Sequence, residues 1–153
     1  IRATMLKEDS TKQTFEFSIP LCREFADYYK GAVSQMFVEG TIGTIYGTVR
    51  LYGYADEVLE DGTCCDIKTT KQYKAGKFKN NTQHLAYPYC LNQMGIPCND
   101  FEYNVTDFKS TFTEHYSVDL AKVETELRER CEQFIEFLFF HKDLITDTKI
   151  FNQ

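Results

Sequence analysis

Residues 53–70 read GYADEVLEDGTCCDIKTT. On both sides of Glu60-Asp61-Gly62 the pattern is typical of a β-strand, so the stretch predicts a hairpin. Side chains alternate between the two faces of a strand, so Asp66 and Lys68 are predicted to share one face, with Ile67 pointing into the core. A carboxylate and an ammonium group are therefore expected side by side on the second strand.

The length of the turn determines whether Asp56 belongs to the same group. A two-residue Asp61-Gly62 turn would place Asp56 and Asp66 on opposite faces of the sheet. A three-residue Glu60-Asp61-Gly62 loop, with Gly62 in the left-handed conformation, pairs the two aspartates on one face. A site that uses both carboxylates requires this loop or an equivalent bulge, because a shift of one residue separates them.

The composition indicates a folded globular chain. It has 153 residues, including 13 Phe and 10 Tyr, enough to bury a core. We expect one domain over residues 1–153, with residues 1–17 as a candidate peripheral segment. No apolar run approaches the span of a bilayer, so no membrane association is expected. The chain begins with Ile1 rather than Met, as a fragment or a processed chain would.

The six cysteines do not form a metal-binding or disulfide pattern. There is no C-x-x-C pair, which argues against zinc and iron–sulfur sites. Cys22, Cys90 and Cys131 fall among apolar residues of predicted helices, where free cysteine behaves as a small hydrophobe. We therefore predict a cytoplasmic protein with reduced thiols.

The remaining patterns predict an α/β fold. Helices are expected from Ser18 to about Tyr29 and at 82–94 and 119–141, and strands near 35–43, 46–59, 63–70, 99–108 and 111–117. Pro88 interrupts the second helix pattern and is expected to kink it. The last helix carries a long apolar stripe, and four of its aromatic residues are expected in the core or, alternatively, on a partner surface: Phe134, Phe137, Phe139 and Phe140.

Charge is unevenly distributed along the chain. The formal net charge is −6, yet the stretch from Lys68 to Lys79 has five lysines and no acid. Three of them, Lys71, Lys74 and Lys77, directly follow the predicted D-I-K strand. Such a stretch can hold a phosphate backbone, although an isolated lysine run is more commonly a solvated loop.

The paired carboxylates and the lysine suit metal-dependent hydrolysis of phosphodiesters. Carboxylate oxygens bind hard divalent cations, and Mg²⁺ keeps several waters, so two or three protein ligands suffice. A bound cation neutralises the phosphate and lowers the pKa of a water, which a nearby lysine can orient or deprotonate. Taken alone, Asp66 and Lys68 could also be an ordinary ion pair on an exposed strand.

Three ordered motifs resemble those of the PD-(D/E)xK nuclease superfamily. They are Gly53-x-x-Asp56, Asp66-Ile67-Lys68-Thr69-Thr70 and Gln83-x-x-x-Tyr87, and the closest resemblance is to the RecB-like and phage-exonuclease-like branch. The resemblance covers roughly residues 20–95. It implies a restriction-endonuclease-like core, in which a central mixed β-sheet is flanked by helices, in agreement with the fold expected from the periodicity.

The resemblance also implies roles for individual residues. Asp56 and Asp66 would be metal ligands, with the backbone carbonyl of Ile67 as a third, and Lys68 would assist the attacking water. Gln83 and Tyr87 would contact DNA or brace the site. Glu39 is a lesser candidate ligand, with Glu24 on the first helix as its rival. The branch often has a histidine or acid on the first helix, and no histidine is present there.

The expected function is that of a Mg²⁺- or Mn²⁺-dependent DNA nuclease of the exonuclease or recombination and repair type. DNA is the expected partner, and the chain is a candidate for assembly as a homo-oligomer or within a larger recombination complex. One alternative is a non-catalytic nucleic-acid-binding or structural domain that retains the fold. Another is an interaction domain whose functional surface is the aromatic C-terminal helix.

Overall fold

The secondary structure follows the order expected from the sequence. The computed structural model describes residues 2–6, 12–16 and 18–147. Its helices are α1 (Ile19–Tyr28), α2 (Gln83–Gln93) and α3 (Leu120–Phe140), followed by a 3₁₀ turn at Lys142–Leu144. Its strands are β1 (Arg2–Leu6), β2 (Lys12–Glu16), β3 (Val33–Thr44), β4 (Gly47–Val58), β5 (Cys64–Thr69), β6 (Asp100–Thr106) and β7 (Thr111–Ser117).

A five-stranded mixed sheet forms the centre of the fold. Its strand order is β3-β4-β5-β6-β7, and only the β5–β6 pair is parallel. The parallel pair needs a crossover, which runs through α2. The fold is therefore α/β with a central mixed sheet flanked by helices, as predicted, and it is compatible with a restriction-endonuclease-like core. Strands β1 and β2 pair with each other in a separate two-stranded sheet.

The helices cover opposite faces of the sheet. Phe101, Tyr103 and Val105 are fully buried in the core on the α2 side. The intervening Glu102 accepts a hydrogen bond from Tyr28 of α1 on the other face. Strand β6 is thus covered on both sides, which is typical of the parallel part of an α/β sheet. Helix α3 packs beside α2 through Val123 and Leu127.

The turn between β4 and β5 has the predicted three-residue form. Val58 pairs with Cys64 and Glu57 pairs with Cys65. The Leu59 amide donates to the Thr63 carbonyl at 2.9 Å, which closes the loop. Gly62 has a φ of +88°, in the left-handed region that glycine adopts without strain. The pairs between the loop and the aspartates therefore have the predicted register, the one that would place Asp56 opposite Asp66.

Helix α2 accommodates Pro88. The proline is buried within the helix, which continues to Gln93. The side chain of Asn92 donates to the carbonyls of Pro88 and Cys98, at 2.8 Å and 2.9 Å. These bonds hold the end of α2 against the segment that leads into β6. The start of α1 is capped as expected, because the Ser18 hydroxyl accepts from the Leu21 amide.

The prediction that the aromatic residues of the last helix lie in the core is wrong. Phe134, Phe137, Phe139 and Phe140 are all exposed, Phe140 at 87%. Helix α3 buries residues only in its first half, at Val123 and Leu127, whereas its second half contacts the tip of the β3–β4 hairpin through exposed residues such as Tyr46 and Glu136. Within the candidate peripheral segment, residues 1–17, Phe15 lies in β2, and Phe17 lies outside the described residues.

One property of the helices bears on membrane association. Over residues 2–6, 12–16 and 18–147, none of the helices combines the length and the hydrophobicity needed to cross a bilayer.

Replacement of Gly62 tests the loop that sets the register. A Cβ at this position would lie 2.2 Å from the Pro97 carbonyl oxygen, and its φ is positive. We expect Gly62→Ala to lower the free energy of unfolding by about 2 kcal/mol or more. Gly43→Ala is the matched control, because a Cβ at Gly43 meets nothing within 4 Å. Urea denaturation that shows equal stability for both variants would contradict this account of the loop.

Candidate active site

The central sheet is interrupted at Asp56. Along β4, Gly53 and Ala55 face inward, as expected from the regular alternation of a strand. The next buried residue is Val58, three positions after Ala55, so the alternation is broken between them. On β3, Gln35 has a φ of +51°, rare for a residue with a side chain. The β3–β4 ladder omits Gln35 and Asp56. An irregularity of this kind changes the direction of a side chain, here that of Asp56, as β-bulges do beside functional sites.

The Asp56 carboxylate fills this interruption. Its Oδ2 accepts a hydrogen bond from the Ile67 amide at 3.0 Å, and its Oδ1 accepts one from Gln35 Nε2 at 3.0 Å. The described ladder between β4 and β5 ends at the Glu57–Cys65 pair. A side-chain oxygen of Asp56 therefore accepts from a β5 amide that would otherwise continue the ladder. The carboxylate lies between β3 and β5 and is fixed from both sides.

Ile67 contributes its backbone to the site. In a strand, the N–H and C=O of one residue point toward the same neighbouring strand. Because the Ile67 amide faces Asp56, its carbonyl oxygen faces the same gap between β4 and β5. This places it where the predicted third ligand belongs. The prediction that the Ile67 side chain points into the core is wrong, since 36% of the residue is exposed, on the face opposite Asp66.

Asp66 is buried at the other side of the gap. It is only 2% exposed, and Oδ1 accepts a hydrogen bond from Gln83 at the start of α2. Its Oδ2 lies 2.7 Å from Lys68 Nζ. Lys68 is therefore the charged partner of this buried oxygen. Burial raises the pKa of Asp66, Lys68 lowers it and the charge of Asp56 raises it again.

Tyr87 joins the first and third motifs. A Cβ on Gly53 would lie 3.0 Å from Tyr87 Cε1, so the glycine leaves the room that the aromatic ring occupies. Burial raises the pKa of Tyr87, the charges of Asp66 and Asp56 add to the rise, and the Gln83 side chain opposes it. Gln83 and Tyr87, one helical turn apart, therefore face the two aspartates, and all three motifs meet in one place.

The oxygen atoms at the gap fit a small divalent cation. Each carboxylate oxygen has two lone-pair directions, and one contact per oxygen leaves capacity for a ligand bond. Two carboxylates and one carbonyl are a sufficient protein share for Mg²⁺, which keeps several waters. Within the described parts of the chain, no cluster of three or more His, Cys, Asp or Glu side chains could hold a metal. A cation bound here would therefore depend on Asp56, Asp66 and the Ile67 carbonyl.

Two acids suggested as further ligands lie elsewhere, which corrects that expectation. Glu39 pairs with Arg50 at 2.6 Å and lies opposite Tyr52, four residues from Asp56 along β4. Four residues of a strand span about 13 Å, too far to share a cation. Glu24 accepts a hydrogen bond from Thr111 of β7 at 2.6 Å, on the side of the sheet covered by α1.

The lysine stretch forms an exposed loop between β5 and α2. Lys71 and Lys74 are exposed, and Lys74 lines a surface concavity with Lys77 and Lys79. The Lys77 ammonium bonds to the Thr70 hydroxyl, and its amide donates to Glu114 at 3.1 Å. Lys77 therefore also braces the loop, whereas Lys71 and Lys74 are the better candidates for contact with an external anion.

Gln35 is the site residue that the sequence did not identify. It carries no motif, and its role depends on a positive φ that appears only when β3 and β4 pair. A glutamine between Ser34 and Met36 gives no local sign of this geometry. Its amide holds one oxygen of Asp56, which makes it a positioning residue for that carboxylate.

Comparisons with known proteins support the fold. No protein-family model matches the chain, and the search of curated proteins gave no match. Among solved structures, the crystal structure of SSO0001 is similar, with a TM-score of 0.52 and 13% sequence identity. The similarity covers 70% of this chain and 52% of that chain, so this chain spans about half the length of SSO0001. At this level of identity the likeness shows a shared fold alone.

Titration of Asp66 tests the electrostatics of the site. In metal-free buffer, we expect its pKa to lie above the ordinary value of 3.8, because burial outweighs the ion pair. Lys68→Met should raise the pKa further, since a favourable charge is removed, whereas Lys109→Met should leave it unchanged. Carboxyl carbon shifts measured by NMR report the value. A pKa that falls in Lys68→Met would contradict the assigned contacts.

The raised pKa of Asp66 determines how the stability of the fold changes with pH. A carboxyl whose pKa is raised by folding contributes stability that is fully present below the unfolded value of 3.8 and is lost as pH rises through the folded pKa. The comparison of wild type with Asp66→Asn by urea denaturation should show a pH-dependent difference confined to that window.

Proposed function

We propose that this protein is a divalent-metal-dependent nuclease that hydrolyses phosphodiester bonds in DNA. The observation that carries the proposal is the convergence of Asp56, Asp66, Lys68 and Gln83 at one interruption of the sheet. Separate segments of the chain supply these groups, and their order matches three nuclease-like motifs. An incidental surface ion pair would not explain the burial of Asp66 or the interruption of two ladders.

The metal proposed for this site is Mg²⁺ or Mn²⁺. Asp56, Asp66 and the Ile67 carbonyl would hold it, and when bound it would supply positive charge to the scissile phosphate and acidify a water. Two carboxylates near each other repel, which favours uptake of a cation. Hydrogen bonds from Gln35 and Gln83 fix the two carboxylates before a cation arrives, so little rearrangement is needed.

Lys68 is proposed to position the attacking water. Its side chain is 24% exposed and its amino group lies 2.7 Å from Asp66 Oδ2, so Lys68 contacts the buried carboxylate while part of its side chain faces the solvent. An N–H group directed to a water oxygen restricts where that water can approach a phosphate. Hydrolysis breaks the bond from phosphorus to the leaving oxygen, and the proton lost by the water passes to solvent or to the leaving group.

The lysine loop is proposed to hold the DNA backbone near this site. It follows β5 directly, so Lys71 and Lys74 lie only a few residues beyond Lys68. Gln83 and Tyr87 brace the aspartates from the helix side. The Gln83-x-x-x-Tyr87 motif favours an exonuclease or a recombination and repair nuclease over a sequence-specific restriction enzyme, because it resembles the motif of the exonuclease-like branch.

A second candidate is a nucleic-acid-binding domain that keeps the fold without cleaving. One observation favours it: in the described residues, no third acidic or histidine side chain joins Asp56 and Asp66. A site with few charged ligands holds a cation less tightly.

Metal-dependent cleavage is the direct test of the proposal. Labelled linear and circular DNA should be degraded with Mg²⁺ or Mn²⁺ and preserved with EDTA. Asp66→Asn and Lys68→Met should each lower the rate by about 100-fold or more, because each removes a group proposed to act on the reacting atoms. Asp100→Asn and Lys109→Met are matched controls of the same residue types and should stay within about twofold of wild type.

The two candidates give different results in this assay. A wild-type rate in Asp66→Asn, or cleavage that persists in EDTA, would contradict the proposed nuclease. Binding of DNA without cleavage under any of these metals would favour the non-catalytic domain.

The salt dependence of DNA binding tests the lysine loop. Each phosphate contact contributes about 0.7–0.9 to the slope of log affinity against log salt. Lys71→Ala/Lys74→Ala should therefore reduce the slope for DNA by about 1.5. Lys109→Ala/Lys122→Ala, which removes exposed lysines at other places, is the control and should leave it unchanged. Equal slopes for the loop variant and wild type would exclude the loop from the DNA contact.

A further inference from the structure

Tyr103 of β6 lies directly behind the candidate site, on the face of the sheet that α2 covers. It pairs with Asp66 in the parallel β5–β6 ladder, so the two side chains point to the same face. Tyr103 has no exposed surface, and Asp66 is 2% exposed. Because a substrate cannot touch Tyr103 in this fold, its contribution to a reaction must pass through the groups that it contacts.

The ring of Tyr103 faces the ammonium group of Lys68. Lys68 Nζ lies over the ring, 5.9 Å from its centre, and 2.7 Å from Asp66 Oδ2. A cation over an aromatic face is attracted by the π-electrons, and more strongly where water is excluded. Lys68 is therefore held by a carboxylate and by a ring. Asp66 would share its charge with a bound metal ion, whereas the attraction of the ring would persist.

The hydroxyl group of Tyr103 contacts the first turn of α2. The first amides of a helix have no acceptor within the helix, and the Thr82 side chain forms no capping bond here. The His84 amide instead donates to the Tyr103 hydroxyl at 3.2 Å. His84 Nδ1 also lies 3.2 Å from that oxygen, and burial lowers the pKa of His84, so a neutral imidazole can accept the hydroxyl proton. These contacts fix the backbone next to Gln83, whose side chain binds Asp66.

Aromatic neighbours restrict the orientation of the Tyr103 ring. The ring centroids of Phe101, Phe78 and Tyr116 lie 4.8 Å, 5.5 Å and 5.7 Å from that of Tyr103. Packed rings of this kind leave little room for a tilt away from Lys68. The ring is thus a rigid support beneath the site.

We propose that Tyr103 is a positioning residue that orients Lys68 through its ring and Gln83 through its hydroxyl group, so that both side chains converge on Asp66. This inference rests on the proposed nuclease function, in which Lys68 directs the attacking water. A lysine side chain is long and flexible, and a ring that restricts it keeps the ammonium group where the water is needed. Loss of this contact should lower the rate of the chemical step more than the affinity for DNA.

Fluorination of the ring at position 103 separates its electrostatic role from packing. Tyr103→Phe keeps the ring. Phenylalanines with one, two or three ring fluorines, introduced there by stop-codon suppression, progressively remove negative charge from its face with little change in size. In metal-free buffer, the order parameter of the Lys68 ε-methylene, measured by ¹³C relaxation, should fall with each fluorine. The exposed Lys109 is the control and should keep its order parameter.

The same series measures the effect on the proposed reaction. With Mg²⁺, the trifluorinated variant should have a kcat about fivefold or more below that of Tyr103→Phe, because the attraction for Lys68 is lost. KM for DNA should stay within about twofold, since Lys68 is proposed to act on the water. A role in packing alone would leave kcat equal across variants of nearly equal size. Thermal unfolding of each variant verifies that the chain is folded.

Hydrogen exchange tests the contact of the hydroxyl group with α2. Tyr103→Phe removes the acceptor of the His84 amide, so this amide should exchange about fivefold faster than in wild type. Tyr116→Phe is the matched control, because the Tyr116 hydroxyl donates to Glu114 and its ring, which stacks on His84, is kept. It should leave the exchange of His84 unchanged. An unchanged rate in Tyr103→Phe overturns the proposed support of Gln83.

The outcomes separate this inference from the proposed function. A Lys68 order parameter that stays the same across the fluorinated series overturns the positioning of Lys68 by Tyr103, even if wild type shows Mg²⁺-dependent cleavage. A graded loss of order in metal-free buffer, together with a complete lack of cleavage by wild type, supports the positioning of Lys68 and overturns the nuclease.

Discussion

The hydrogen bond from the Ile67 amide to the Asp56 carboxylate is the interaction on which the rest of the site depends. A backbone amide without an acceptor is unfavourable within a fold, so an acceptor is needed where β4 and β5 stop pairing. A side-chain carboxylate takes this role at 3.0 Å. One interaction therefore satisfies the backbone, fixes the first aspartate and turns the Ile67 carbonyl toward the same gap. A regular ladder would have used these groups within the sheet.

The second constraint is the burial of Asp66. Desolvation of a carboxylate is unfavourable, and Lys68 and Gln83 offset it only in part, since the pKa of Asp66 remains raised. A fold that retains such a group gives up stability at this point. Together with the left-handed backbone of Gln35, this concentrates unfavourable local geometry around one gap. Functional sites are where proteins tolerate these departures from consistent packing.

The sequence predicted the regular parts of this arrangement well. The periodicity of apolar residues predicted the order of the elements from α1 onward, and the length of the loop that ends at Gly62 predicted the β4–β5 register, because both depend on local rules. Prediction from the sequence failed where tertiary contacts decide the outcome. Whether Phe134 and Phe140 are buried depends on which elements pack against the second half of α3, and whether Ile67 is buried depends on which face of β5 lacks a cover. The role of Gln35 requires the paired strands, and the distance of Glu39 from Asp56 follows from the register of β3 on β4.

Paramagnetic broadening by Mn²⁺ tests most directly whether the gap between β4 and β5 gathers a cation. In NMR spectra of the folded chain, trace Mn²⁺ should first broaden the amide signals of residues 55–57 and 65–68, with Gln35 close behind, and Mg²⁺ should compete with this effect. Broadening that instead centres on the acidic face of α3, around Glu129 and Glu132, or that leaves residues 65–68 unaffected, would contradict a shared cation site at Asp56 and Asp66.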